Sequence, residues 1–170
     1  SDVYKRQPLF LLAGCASAGG SQSRDLDLKE LCTEEQVFQY ADFEWGTDSE
    51  QLFKQSSLKF DEKDLGQGDE SSTKTYESKE KFSLENAESN MDLEFSDGQL
   101  SQVSFTFDIE QDANTWIQNE VDELNSLYGG GIATGLGNQI YQWQGEQDTV
   151  LQLTAFTEGD ESATVILSVA

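Results

Sequence analysis

The sequence predicts an α+β domain in which helices pack on one face of an antiparallel meander sheet. Apolar and polar residues alternate between residues 91 and 109 and again near the C-terminus, as in strands with one buried face. Residues 112–128 instead follow a helical period. Helices and strands also come in separate runs along the chain, which favours helices gathered on one face of an antiparallel sheet.

Two short helices are predicted before the sheet. Residues 33–36, Thr-Glu-Glu-Gln, form a capping-box pattern with an apolar stretch behind it, and predict a first helix there. Thr47 and Glu50 repeat the pattern, and Leu52 and Phe53 give this second helix an apolar side. An extended segment, a turn and a short helix therefore precede the sheet.

A hairpin dominates the middle of the chain. Residues 72–84 predict a polar strand, and residues 91–95 and 103–109 alternate on either side of Asp97-Gly98, a pair typical of tight hairpin turns. We therefore expect adjacent antiparallel strands with one wet face.

A long helix and three more strands complete the prediction. Ile117, Val121, Leu124 and Tyr128 form one stripe of a helix that Gly129 ends, and Thr115 with Gln118 offers its N-terminal cap. Residues 140–143, 150–156 and 163–169 then predict three antiparallel strands separated by polar turns.

The first residues predict a segment outside this domain. Leu12-Ala13-Gly14-Cys15 resembles a bacterial lipobox, in which the cysteine thiol takes a diacylglycerol and the bond before it is cut. This resemblance implies a truncated signal peptide over residues 1–14, a flexible lipid-anchored tether over 15–25, and one α+β domain over 26–170. Residues 1–7 are more typical of a translated adapter remnant than of a signal peptide. The alternatives are a buried strand with an incidental cysteine, or an orphan fragment with a chance signal.

Charge narrows the classes of partner. The chain carries 33 acidic and 10 basic residues, a net charge of −23, which disfavours nucleic acid and direct adsorption to anionic lipid headgroups. The protein would be held at a membrane through lipid on Cys15, because several acyl chains on one cysteine would anchor it stably. The acidity is typical of a surface exposed to salt water, where screening relieves self-repulsion.

Few residues suggest catalysis or a cofactor. The chain contains no histidine, which removes His-dependent catalysis and imidazole metal sites. We expect Cys32 to be a small buried hydrophobic residue just before a helix; the alternatives are a reactive thiol and an intermolecular disulfide. Residues 108–114 space acids as in the start of a calcium loop, but Ala113 stands where glycine is needed, and residues 129–137 form a glycine-rich loop without a basic residue. A second acidic loop contains Asp61, Asp64, Asp69 and Glu70. We therefore expect neither a cofactor, a metal nor enzymatic activity.

A further resemblance concerns residues 43–53, Phe-Glu-Trp-Gly-Thr-Asp-Ser-Glu-Gln-Leu-Phe, together with the later strands. They resemble small lipoproteins of the SmpA/OmlA (BamE-like) and β-lactamase-inhibitor-like type. This implies a turn and short helix before a meander sheet, and action by binding other proteins.

The function expected from these observations is that of a lipid-anchored protein of the bacterial cell envelope that binds or organises another envelope protein. Aromatic side chains anchor many interfaces. The candidate contacts are accordingly Tyr40, Trp45, Trp116, Tyr141 and Trp143. The alternative is a lipoprotein that binds or senses a cation or small ligand through its acidic loops.

Overall fold

The computed structural model describes residues 23–66, 72–134, 139–159 and 161–170. Over these ranges the chain forms a nine-stranded mixed sheet and two α-helices. The helices are α1 (Ser49–Gln55) and α2 (Ala113–Tyr128), and one turn of 3-10 helix covers Leu28–Leu31. The strands are β1 (Ser23–Asp25), β2 (Phe60–Lys63), β3 (Thr73–Leu84), β4 (Ala87–Ser96), β5 (Gln99–Ile109), β6 (Ile132–Thr134), β7 (Gln139–Gln144), β8 (Val150–Glu158) and β9 (Ser162–Val169). Neither described α-helix is long and apolar enough to cross a bilayer.

The sheet is broader and less regular than the predicted antiparallel meander. Its strand order is β1-β3-β4-β5-β9-β8-β7-β6, and β2 pairs with the same edge of β3 that β1 uses further along. The β1–β3 pair is parallel and every other pair is antiparallel. The simple meander is wrong because α2 carries the chain from β5 to the far edge, so that β9 rather than β6 pairs with β5.

The central hairpins follow the sequence prediction closely. Asp97 and Gly98 both have positive φ, 50° and 80°, as a tight hairpin turn between β4 and β5 requires. The register of β3 against β4 shifts between Glu77 and Lys81, and Ser78 fills this bulge. Its hydroxyl accepts the backbone N–H of Met91 at 2.8 Å, so the irregularity leaves that buried donor paired.

The core lies between the inner face of the sheet and the two helices. Four phenylalanines from the sheet are almost fully buried there: Phe82, Phe95, Phe105 and Phe107. On α2 the predicted stripe is confirmed, since Ile117, Val121 and Leu124 are all buried. The ring of Trp116 lies 5.7 Å from that of Phe107, and Phe53 of α1 contacts Phe95 at 6.1 Å.

The first predicted helix, over residues 33–41, is not formed. Gln36 has φ of 63°, and Phe38 instead pairs with Cys32 as an isolated β-bridge. The Phe38 N–H donates to the hydroxyl of Thr149, 111 residues away, at 2.9 Å. Thr33 still accepts the Val37 N–H at 3.2 Å, so the capping pattern serves a turn rather than a helix.

The other helices are confirmed, with different caps. Asp48, not Thr47, caps α1 by accepting the Gln51 N–H at 2.9 Å. On α2 the N-cap is Asp112, in the left-handed conformation, rather than Thr115. At the N-terminus, Ser23–Asp25, which the sequence assigned to the end of the tether, form β1 and pair with β3.

Candidate functional site

The five aromatic residues predicted as partner contacts lie on the inner side of the sheet or beside it. Tyr40 and Trp143 are each 3% exposed, so their side chains belong to the core and offer no surface to a partner. Trp45, Trp116 and Tyr141 are half-buried and pack against the same core. Trp45 also donates its indole N–H to the Phe38 carbonyl at 2.9 Å, which explains its position in the fold.

The outer face of the sheet carries the more unusual surface. Strand register places two rows of side chains across β5, β9, β8, β7 and β6 on the face that points away from the core. One row is Thr106, Ile166, Thr154, Ile140 and Thr134, and the next is Ser104, Ser168, Gln152, Gln142 and Ile132. We call these ten residues the uncharged face, since none of them carries a charge.

Hydrogen bonds between side chains order the middle of the uncharged face. The Gln142 amide donates to the Gln152 side-chain oxygen at 2.6 Å, and Gln152 donates to the Thr154 hydroxyl at 2.8 Å. The first bond joins β7 to β8 and the second lies within β8, so these three polar side chains are already hydrogen-bonded before any partner arrives. Less desolvation cost then opposes contact with another surface.

Large apolar side chains add to this surface. Ile132 is 66% exposed at one end of the uncharged face, and Phe156, 43% exposed, lies beside Thr154 on the same side of β8. The two side chains lie in different rows of the outer face, with uncharged residues such as Thr154 and Ile140 between them. Together they give this half of the face exposed apolar surface without charge. The patch is bounded by acids, because Asp108 of β5 and Glu158 of β8 follow along the same face.

The remainder of the outer face has the opposite character. On β2, β3 and β4, Lys63 lies 3.1 Å from both Glu77 and Asp92. Burial raises the pKa of Asp92, although Lys63 opposes this effect. Lys81 and Glu88 form a further, more exposed pair at 3.5 Å. The outer face therefore divides into a charged part on β2, β3 and β4 and the uncharged face on the later strands, which Asp108 and Glu158 bound.

The predicted acidic loops do not assemble into a metal site within the described residues. Asp61 lies in β2 and pairs with Lys79 at 3.0 Å, while Asp64 accepts the N–H of Gly66 at 2.9 Å. Asp69 and Glu70 lie outside the described residues, as does Cys15. Across the described ranges, no group of three or more Cys, Asp or Glu side chains is placed to hold a metal ion.

The glycine-rich loop ends α2 and contacts the core instead of forming a phosphate cradle. Gly129 has φ of 86° and caps the helix, and the Gly131 N–H donates to the side chain of Asn125 at 2.8 Å. The indole N–H of Trp143 shares that Asn125 oxygen at 3.1 Å. Residues 135–137 of the predicted loop lie outside the described ranges.

Cys32 borders a groove of about 410 Å³ on the inner side, next to Tyr128 and Gly145. Its thiol is half-buried rather than fully buried, and burial raises its pKa, which lowers its reactivity. A larger groove of about 690 Å³ lies between α1 and the loop around Tyr40, with Arg24 at its side.

Glu120 is the most unusual titratable group. It lies on the buried side of α2, 1% exposed, and neither of its carboxylate oxygens has a hydrogen-bond partner among the described residues. Burial, followed by the charges of Glu123 and Glu85, raises its pKa to about 7. The indole N–H of Trp116, one turn earlier, is also buried without a partner in the described structure.

No protein-family model, curated protein or solved structure shows significant similarity to this chain. The surface of the domain is therefore the basis for assigning a function. Sequence reasoning missed the uncharged face because it sought aromatic anchors. One signal was available, since no charged residue occurs in the 22 residues from Leu124 to Gly145, in a chain of which 25% is charged.

Proposed function

We propose that this chain is a lipid-anchored protein of the bacterial cell envelope, without enzymatic activity, whose α+β domain binds another envelope protein through the uncharged face. The observation that carries the proposal is the concentration of uncharged and apolar side chains on one half of the outer sheet face. In a chain with a net charge of −23, such a surface lets a partner dock without burying unpaired carboxylates.

The position of the lipobox cysteine supports the choice of this face. Seven residues separate Cys15 from Ser23, where β1 begins, so an anchored domain would lie within about 28 Å of the lipid. The edge strand β1 would be held near the membrane, and β6 lies at the opposite edge of the sheet. Seven strand spacings of about 4.8 Å separate these edges, so the uncharged half is the one further from the anchor.

The family resemblance points in the same direction. Residues 43–53 resemble small lipoproteins that act by binding other proteins, and in this chain they form the turn at Gly46 and the start of α1. We extend that mode of action to this chain as part of the proposal.

Anchoring can be tested on the chromosomal gene with Cys15→Ser. We expect the protein to leave the membrane fraction and to lose labelling by a fatty-acid analogue. Unchanged membrane partition would contradict lipidation and favour the orphan-fragment alternative.

Partner binding can be tested with a photo-crosslinking amino acid in place of Thr106, an exposed position of the uncharged face. We expect one defined adduct with an envelope protein in intact cells. The same amino acid in place of Leu65, which is 56% exposed but lies outside the face, is the matched control. A second substitution, Phe156→Glu, should abolish the Thr106 adduct. An adduct that forms equally from both positions, or that survives Phe156→Glu, would contradict the proposal.

A further inference from the structure

Strand β6 forms an open edge of the sheet. Among the described strands its one neighbour is β7, and all three of its residues, Ile132 to Thr134, are exposed. Within the described ranges no residue hydrogen-bonds to the backbone on its other side, which leaves that side able to pair with a further strand. Ile132, at 66%, is also the most exposed of the large apolar side chains in the described ranges.

The opposite edge of the sheet carries charged side chains and β6 does not. Strand β1 carries Arg24 and Asp25, and β2 carries three consecutive charges at residues 61–63. Charged side chains on edge strands are a common means of preventing edge-to-edge pairing. The uncharged stretch from Leu124 to Gly145 contains β6, so β6 has no charged side chain to prevent pairing, and only the short length of the strand limits it among the described residues.

A second copy of this chain is an occupant that can use this edge, because β6 is uncharged and can pair with itself. Each copy has a net charge of −23, so two copies repel one another over most of their surfaces. At β6 no carboxylate of one copy would face a carboxylate of the other strand. An antiparallel pairing about a two-fold axis at Ala133 would place Ile132 of each copy opposite Thr134 of the other, which makes the contact self-complementary.

We propose that β6 pairs antiparallel with β6 of a second copy and joins the two sheets into one. Salt promotes this association because it screens the repulsion between the copies. The inference depends on the proposed function to the extent that it treats the uncharged half of the sheet as the interaction surface. Pairing at the edge would leave the uncharged face open and continue it across both copies. A membrane anchor near β1 would leave both β6 edges free to meet, since β1 and β6 lie at opposite edges.

The test is sedimentation velocity on the full chain carrying Cys15→Ser, under reducing conditions that exclude a disulfide through Cys32. We expect monomers at about 0.05 M NaCl and dimers at about 1 M, with the dimer dissociation constant falling at least about tenfold because the repulsion between copies is screened. A chain that stays monomeric at about 1 M NaCl and about 1 mM protein would overturn the proposal.

Two matched variants locate the contact. Ile132→Lys and Leu65→Lys each replace an exposed apolar side chain and each make the net charge less negative by one. A less negative net charge would by itself favour association in both variants. Loss of the dimer in Ile132→Lys, with a dimer retained in Leu65→Lys, would therefore support pairing at β6. An equal effect of both variants would overturn it.

Hydrogen exchange on the wild-type chain gives an independent measurement should Ile132→Lys fail to fold. We expect the amides of β6 to gain protection as salt promotes association, and the amides of β1 to change far less. Unchanged exchange in β6 on dimer formation would contradict the proposal.

The Thr106 crosslink separates β6 pairing from the proposed envelope partner. An envelope adduct formed by a strictly monomeric chain would overturn β6 pairing alone. A β6 dimer whose Thr106 adducts join only copies of this chain would overturn the envelope partner alone.

Discussion

The carboxyl group of Glu120 makes stability depend on pH in a direction opposite to that of a salt-bridged acid. Its pKa is about 7 in the folded chain against an ordinary value of 4.5, so the folded state holds this proton more tightly than the unfolded state does. Stability contributed by the neutral form is therefore complete below about pH 4.5, declines as the pH rises to about 7, and is lost above that.

Glu120→Gln should remove this dependence. The amide keeps the shape of the protonated acid but never ionises, so at pH 8 the variant should be more stable than the wild type by about 3 kcal/mol, and near pH 4.5 the two should be similar. Urea unfolding at both pH values measures the difference.

The matched control is Glu123→Gln, one turn along on α2, because Glu123 is exposed and contributes to the raised pKa of Glu120 only through its charge. Its effect on stability at pH 8 should be much smaller. A Glu120→Gln variant that is less stable than the wild type at pH 8 would show that the carboxylate has a partner, such as bound water or a cation, which the amide cannot replace.

The junction between α2 and β6 is fixed by the close approach of the Gly131 backbone to the Trp143 ring. A Cβ atom on Gly131 would lie 2.6 Å from the indole of Trp143, a side chain only 3% exposed and already bonded to Asn125. Gly131→Ala should therefore displace Trp143 and destabilise the fold by about 1–3 kcal/mol.

Gly130→Ala is the control for this prediction, because a Cβ at residue 130 would meet no atom of the described residues within 4 Å apart from those of its own chain neighbours. It should leave stability nearly unchanged or raise it slightly by restricting the unfolded chain. Thermal unfolding of the two variants, followed through tryptophan fluorescence, measures both effects. Equal losses in the two variants would mean that loop flexibility, not the contact with Trp143, determines stability here.

Elements with a strong internal period were predictable from the sequence. The stripe of α2 and the alternation of β5 each follow from one buried face, and the Asp97-Gly98 turn fixes the hairpin between β4 and β5. Strands β1, β2 and β6 were missed because three or four residues show no alternation, and each exists through pairing with β3 or β7. The capping-box pattern at residues 33–36 does not start a helix because the distant hydroxyl of Thr149 holds Phe38 in an extended conformation.

The candidate site was less predictable than the fold for the same physical reason. A row such as Thr106, Ile166 and Thr154 joins residues from three strands, and the sequence does not reveal which strands are neighbours. The predicted order of the final strands omitted β6 and the pairing of β5 with β9, and both are needed to assemble the uncharged face. The charge-free stretch from Leu124 to Gly145 marks one part of it and could have been found.

At the level of the whole molecule, net charge opposes the folded state. With 33 acidic and 10 basic residues in the chain, most carboxylates have no cation to pair with, and compaction brings them closer together. The ion pairs that exist are mostly exposed, as with Lys54 and Glu50 at 3.7 Å, and such pairs contribute little. Repulsion should therefore outweigh attraction.

Salt should consequently stabilise this chain rather than weaken it. Raising NaCl from about 0.01 M to about 1 M shortens the Debye length from about 30 Å to about 3 Å, and the unfolding midpoint should rise by about 5 °C. The rise should also appear in Ile132→Lys, which separates screening within one chain from association through β6. KCl should act like NaCl, because screening does not distinguish the two cations, whereas a larger effect of one would indicate a specific cation site. A midpoint that falls with salt would mean that close contacts such as Lys63 with Glu77 and Asp92 contribute more than the repulsion costs.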